Sequence, residues 1–120
     1  MARFSDWLPI RGPEGGYYLP YALYGPACYE LGIGATRQGV EVVYVGETDN
    51  VVMRMVEYAT HGAHLAAKIN AAVGAGHTLF CRVRHKGTHE AAVLLRDSLL
   101  RKRQLEGRPY QWNLEVDEAR

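Results

Sequence analysis

Residues 44–58 read YVGETDNVVMRMVEY, and this segment decides the fold because it joins a strand pattern directly to a helix pattern. Residues 41–45 are mostly β-branched or aromatic, which predicts a strand that ends at Gly46. Residues 48–50, Thr-Asp-Asn, all favour the N-cap position, so a helix is expected over 51–59. The segment therefore predicts a strand that leads through a short turn into a helix.

Further elements are predicted on both sides of this unit. They are strands over 27–33 and 77–84 and helices over 64–73 and 89–105. A Gly-bounded turn at 34–39 joins the first two strands as an antiparallel hairpin. The order β-β-α-α-β-α predicts an α+β fold and argues against a doubly wound parallel sheet.

The predicted domain occupies residues 27–115. Residues 1–26 are rich in Pro, Gly and Tyr, which break regular structure but supply large apolar area. We therefore expect them to form an extended arm that packs on the domain. Residues 116–120 are expected to form a short C-terminal tail.

Composition narrows the class of protein. Apolar residues make up 48% of the 120 positions, and the formal net charge is only +1. No apolar run approaches the roughly 20 residues of a membrane span, so a protein of the cytoplasm without a membrane partner is expected. Cys28 and Cys81 lie in apolar strand patterns, which predicts buried free thiols rather than a disulfide or metal site.

One set of side chains is suited to binding phosphate. Arg54 and Tyr58 lie one helical turn apart, on the helix that follows the strand carrying Tyr44. Tyr29 lies on the neighbouring strand of the hairpin. A guanidinium binds phosphate oxygens, and a phenol can position or deprotonate a water molecule. The sequence therefore predicts that these four side chains converge around a phosphate.

The same residues resemble the motifs of the GIY-YIG nuclease family. The matching pieces, in order, are Ala27-Cys28-Tyr29, Tyr44-Val45-Gly46, Asn50, Arg54, Tyr58, Arg108-Pro109 and Asn113. The first tripeptide departs from the family name, and the resemblance covers about residues 27–113. It implies a three-stranded antiparallel sheet flanked by helices. It also implies an endonuclease, such as those of phages and mobile elements, that cleaves DNA phosphodiester bonds with one Mg²⁺ or Mn²⁺.

The resemblance assigns a role to each matching residue. Tyr29 is the expected general base or water-orienting phenol, and Tyr44 supports it. Arg54 stabilises charge on the phosphate. Tyr58 contacts the nucleophile or the phosphate. Gly46 and Asn113 are expected to support the site structurally, while the expected contacts to DNA come from His64, Arg96, Arg101 and Lys102.

Arg96 occupies the position where the family carries its metal-binding Glu. A guanidinium repels the divalent cation that a carboxylate attracts. Three readings stay open: Arg96 grips the phosphate in a domain that binds without cutting, another carboxylate holds the metal, or Arg96 points outward on an inactive domain. Glu47 is the best alternative ligand because it directly follows the strand motif, and Asp97 is next.

Two functions from different classes follow from this departure. The first is a metal-dependent DNA endonuclease with an atypical or impaired metal site. The second is an inactive nuclease scaffold that binds nucleic acid or a protein partner. The strandedness of the DNA and the formation of a homodimer are left open by the sequence.

Overall fold

The computed structural model describes residues 3–15 and 24–117. These residues form β1 (Leu8–Arg11), β2 (Ala27–Gly34), β3 (Glu41–Thr48), α1 (Val51–Thr60), α2 (Ala66–Gly74), β4 (Thr78–His85), α3 (His89–Leu105) and α4 (Gln111–Asp117). Short 3₁₀ turns at Arg37–Gly39 and Ala63–Leu65 precede β3 and α2. The predicted α+β class is confirmed, whereas α4 was not foreseen.

Within the described part of the chain, the sheet has four antiparallel strands in the order β1-β4-β2-β3, so the expectation of three strands is wrong. The additional strand comes from the segment that was expected to be an extended arm. Its Pro9 and nearby glycines argue against a strand within a sheet. An edge strand tolerates proline, and β1 pairs with a neighbour on one side only, namely β4.

The helix that decides the fold begins as predicted. Asn50 is its N-cap, and its side chain accepts a hydrogen bond from the amide of Met53 at 3.1 Å. Thr88 caps α3 in the same way, accepting from the amide of Ala91 at 3.1 Å. These bonds satisfy amide groups that lack partners within the first turn of a helix.

Apolar side chains are buried on both faces of the sheet. The larger cluster joins β2 and β4 to α1 and α2, and includes Leu31, Cys81, Met55 and Ile69. The smaller cluster contains Cys28, Val45 and Tyr110, and three leucines of α3 pack against it: Leu95, Leu99 and Leu100. The sheet is thus covered by α1 and α2 on one face and by α3 on the other.

Some of the predictions fall outside the described residues. Much of the aromatic part of the expected arm, Tyr17, Tyr18 and Tyr21, lies in the gap between residues 15 and 24, and residues 118–120 of the tail are also outside. The division at residues 26 and 115 stays a prediction. Among residues 3–15 and 24–117, no helix combines the length and apolar character needed to cross a bilayer.

The two thiols are free and buried, as predicted. They belong to the two different apolar clusters, Cys81 to the larger and Cys28 to the smaller. Burial raises the pKa of both Cys28 and Cys81 from 9.0 to about 12. A raised pKa favours the protonated thiol in the fold, so its contribution to stability is full below pH 9 and declines as pH rises toward 12.

We therefore expect both thiols of the native protein to react slowly with an aromatic disulfide reagent at pH 8. The thiolate is the reactive form, and neither sulfur is accessible in the fold. Absorbance measured with and without urea tests this, and unfolded protein should release two equivalents rapidly. Rapid reaction of either thiol without urea would show that its surroundings are open.

Candidate active site

The ring of Tyr29 lies over Gly46, its cross-strand partner in the β2–β3 pair. A Cβ atom added to Gly46 would stand 2.4 Å from the phenol oxygen of Tyr29 and 2.5 Å from its Cζ atom. Tyr29 is completely buried in this position. Position 46 therefore requires a residue without a side chain, because the tyrosine ring occupies the space that a Cβ would fill.

Helix α1 brings two further groups to this ring. Arg54 and Tyr58 share one face of the helix because they lie four residues apart. The hydroxyls of Tyr29 and Tyr58 are hydrogen-bonded at 2.5 Å, and Arg54 Nη1 donates to the Tyr29 oxygen at 3.3 Å. Tyr44 is the next ring along, with its centroid 6.3 Å from that of Tyr29. The structure thus brings together the four side chains that the sequence singled out.

His64 also belongs to this cluster. Its Nε2 atom is 3.0 Å from the hydroxyl of Tyr44, and its ring lies 6.3 Å from that of Tyr58. The turn that carries it contains two left-handed residues, Gly62 at φ 81° and Ala63 at φ 49°. The sequence suggested His64 only as a contact to DNA, and the structure places it beside the phenols.

Burial determines the protonation state of the phenols. It raises the pKa of Tyr29 well above the ordinary value of 10.0, and nearby Tyr58 and Tyr44 raise it further. Burial also raises the pKa of Tyr58, against the hydrogen bond from Tyr29 and the charge of Arg54. Both groups are therefore neutral near pH 7, where they act as hydrogen-bonding hydroxyls rather than as phenolates.

Tyr29, Tyr44, Arg54 and His64 line a pocket of about 520 Å³. Tyr58 is fully buried behind Tyr29 and does not line it, so its expected direct contact with the phosphate or the nucleophile is not seen here. Tyrosine hydroxyls, the imidazole of His64, two guanidinium groups and three carboxylates line the pocket, and α3 forms one wall. The charged residues of its lining are Glu47, Arg54, Glu57, Arg96 and Asp97. The pocket is polar, and both signs of charge are present in it.

Each carboxylate of the pocket is paired with a cationic side chain. Glu57 lies 3.2 Å from Arg54, and Asp97 accepts a hydrogen bond from Arg96 Nε at 2.8 Å. Glu47 contacts His89 and lies 3.8 Å from Arg96 Nη1. The two arginines of the pocket are thus held by carboxylates that lie beside them.

Two side chains of this set, Glu57 and His89, were not singled out from the sequence. Glu57 follows Arg54 by three residues, a spacing at which opposite charges pair on a helix, so this signal was readable. The contact between His89 and Glu47 joins two elements that are 42 residues apart in the chain. No local pattern predicts such a contact.

Asn113 supports the site from α4. Its side-chain oxygen accepts from the amide of Val45 at 2.9 Å, and its side-chain nitrogen donates to the carbonyl of Val45 at 3.0 Å. These two bonds occupy the outer edge of β3, the last strand of the sheet. Asn113 therefore fixes the strand between Tyr44 and Gly46 and covers an edge that would otherwise be exposed.

The remaining two predicted contacts to DNA lie away from the pocket lining. Lys102 lines a different cleft, on the side of α3 where Glu30 and Tyr110 lie. Arg101 is exposed on the surface of α3. The structure therefore groups Arg96 and His64 at the pocket and separates the other two from it.

A sequence model described as GIY-YIG domain-containing protein matches residues 16–113. The chain belongs to the GIY-YIG family. Neither a curated protein nor a solved structure matches the chain. Membership agrees with the geometry of the site, because Ala27-Cys28-Tyr29 and Tyr44-Val45-Gly46, which correspond to the family's two tripeptides, hold Tyr29 and Tyr44 on adjacent strands.

Nucleases of the GIY-YIG family generally depend on a divalent cation, but the ligand set of this chain does not suit one. Among residues 3–15 and 24–117, no three His, Cys, Asp or Glu side chains are grouped to hold a metal ion. Glu47 and Asp97 both lie beside the guanidinium of Arg96. That fixed positive charge repels a dication and competes for the oxygens that would bind it.

We expect Gly46→Ala to lower the free energy of unfolding by about 1–3 kcal/mol, the usual cost of overpacking a core. The added methyl group clashes with the buried ring of Tyr29. Urea titration followed by tryptophan fluorescence measures the change. Gly39→Ala is the matched control, because a Cβ there meets no heavy atom within 4 Å. Equal midpoints for the two variants would mean that the ring does not occupy this space.

Proposed function

We propose that the pocket binds a phosphodiester of DNA and that the domain is a GIY-YIG-type endonuclease whose hydrolytic step is impaired by Arg96. One observation carries the proposal: the guanidinium of Arg54 lies against the paired hydroxyls of Tyr29 and Tyr58 at the wall of an open polar pocket. A phosphate in this pocket meets the guanidinium of Arg54 together with the phenols of Tyr29 and Tyr44, which line it.

The two arginines are available to a phosphate because their present partners are weak. Side-chain exposure is 32% for Arg54 and 42% for Glu57, and 30% for Arg96 and 47% for Asp97. Ion pairs with this degree of exposure contribute only about 0–1 kcal/mol. Two parallel hydrogen bonds from a guanidinium to a phosphate are stronger, so the phosphate replaces the carboxylates.

The phenols suit positioning better than proton abstraction. Tyr29 is neutral near pH 7, and its hydroxyl is already bonded to Tyr58 and Arg54. Such a hydroxyl can orient a water molecule beside the phosphorus, but it removes a proton from that water poorly. Hydrolysis then needs another means of activating the water, and the positive charge of Arg96 repels the divalent cation that would provide it. Binding is therefore expected to be stronger than catalysis.

A second candidate is a fully active endonuclease that uses Mg²⁺ or Mn²⁺ held by Glu47. The observation that favours it is the presence of three carboxylates in a pocket with two guanidinium groups, which leaves the lining slightly acidic. Efficient plasmid cleavage in either metal, abolished by Glu47→Gln, supports this candidate. Cleavage that is weak and insensitive to this substitution rejects it.

We expect Arg54→Ala to weaken DNA binding by about 10- to 100-fold, the usual loss on removing a charge-assisted hydrogen bond. Fluorescence anisotropy with labelled single-stranded and double-stranded oligonucleotides measures the affinity. Arg37→Ala is the control, since Arg37 is an exposed arginine in the turn before β3 and does not line the pocket. If the two variants bind equally well, the phosphate does not contact Arg54.

We expect Arg96→Glu to raise cleavage of plasmid DNA in Mg²⁺ or Mn²⁺ at least 10-fold over the unmodified protein. The substitution removes the repelling guanidinium and adds a carboxylate at the position of the family ligand. The control is Arg96→Gln, which removes the charge without adding a ligand. A variant that binds DNA and folds normally, yet cleaves no faster in either metal, would contradict the assignment of Arg96 as the impairment.

A further inference from the structure

A second cleft lies along α3, next to the active-site pocket. Its volume is about 340 Å³, and its floor is formed by side chains of the sheet and of the segment before α4. Leu99 lines this cleft, whereas the adjacent Leu100 lines the pocket. One helix therefore lines two openings of the molecule.

The cleft carries an excess of positive charge. Four cationic side chains line it, Arg82, Lys102, Arg103 and Arg108, against two carboxylates, Glu30 and Glu106. Glu30 is 4% exposed, and both of its oxygens are bonded, one to Arg82 at 2.7 Å and the other to the hydroxyl of Tyr110. The negative charge of Glu30 is therefore balanced by Arg82, so this carboxylate repels an incoming anion only weakly.

Three of the four cationic side chains of the cleft lie on α3 or just after it, and they are held in place in different ways. They are Lys102, Arg103 and Arg108. Arg103 lies over the ring of Tyr110, with 4.5 Å from the guanidinium carbon to the ring centroid. Arg108 pairs with Glu106 at 3.5 Å, and its side chain is 71% exposed. Lys102 is exposed and makes no ion pair within residues 3–15 and 24–117. Arg103 is thus preorganised by the aromatic ring, while the other two cations are accessible to a ligand.

The position of the cleft suits a second phosphate of the same nucleic acid. Arg96 at the pocket and Arg103 at the cleft are seven residues apart, which is about 10 Å along a helix axis. Residues seven apart lie on nearly the same face of a helix, so a strand that passes over this face of α3 reaches both openings.

We propose that this cleft is a second phosphate-binding subsite, filled by a backbone phosphate of the DNA whose phosphodiester occupies the pocket. The inference rests on the proposed function for its ligand. Lys102, Arg103 and Arg108 then contact the backbone of the strand and fix its path over α3. Such contacts position the backbone and read no sequence.

The test is the double variant Lys102→Ala with Arg108→Ala, compared with Lys68→Ala on α2. Both cations of the double variant are exposed, so the fold should be retained, and circular dichroism checks this. We expect at least 10-fold weaker binding to a long oligonucleotide. The plot of log affinity against log salt should be less steep by about one unit for each cation removed. Lys68→Ala should leave both quantities unchanged.

A dinucleotide bearing one internal phosphodiester separates the two sites. It fills the pocket but is too short to span α3, so Arg54→Ala should weaken its binding while the double variant should not. If the double variant binds the long oligonucleotide as well as the unmodified protein does, the second subsite is wrong. Loss with Arg54→Ala alone would then leave the proposed function standing. Loss with the double variant alone would uphold the cleft and overturn the pocket.

Discussion

The ring of Tyr29 crosses the backbone of Gly46 and shares its hydroxyl with Tyr58 and Arg54. This contact fixes β2, β3 and α1 relative to one another, because each element contributes to it. Tyr29 comes from β2, Gly46 from β3, and Arg54 and Tyr58 from α1. The ring can lie this close to β3 only because position 46 lacks a side chain. The same packing buries the phenols, keeps them neutral and leaves the guanidinium at the wall of the pocket.

The carboxylates of this site are paired with cationic side chains of the protein. Where the family carries a ligand carboxylate, Arg96 interacts with Asp97 and approaches Glu47. Under the proposed function, a phosphate that enters binds both guanidinium groups and displaces carboxylates that are held only weakly. The proposed function therefore expects this pocket to hold an anion more readily than a divalent cation.

The sequence predicted the parts of the structure that local signals encode. The N-cap residues at 48–50 predicted the start of the helix that carries Arg54 and Tyr58. The predicted hairpin placed Tyr29 on the strand next to that of Tyr44. The sequence did not predict β1, because Pro9 indicates a break in regular structure. Proline is tolerated here because β1 is an edge strand, which is a property of the tertiary structure that the local sequence does not show. The sequence also missed the partner of Glu47, since that contact joins distant elements.

The most direct measurement is a crystal structure of the protein with a short oligodeoxynucleotide, grown in the presence of Mn²⁺. The account predicts a phosphate whose oxygens lie within about 3 Å of the Arg54 guanidinium, with the contact between Arg54 and Glu57 broken. It predicts that Arg96 faces the same phosphate. A bound strand whose phosphates all lie outside the pocket, with Arg54 still paired to Glu57, would contradict it.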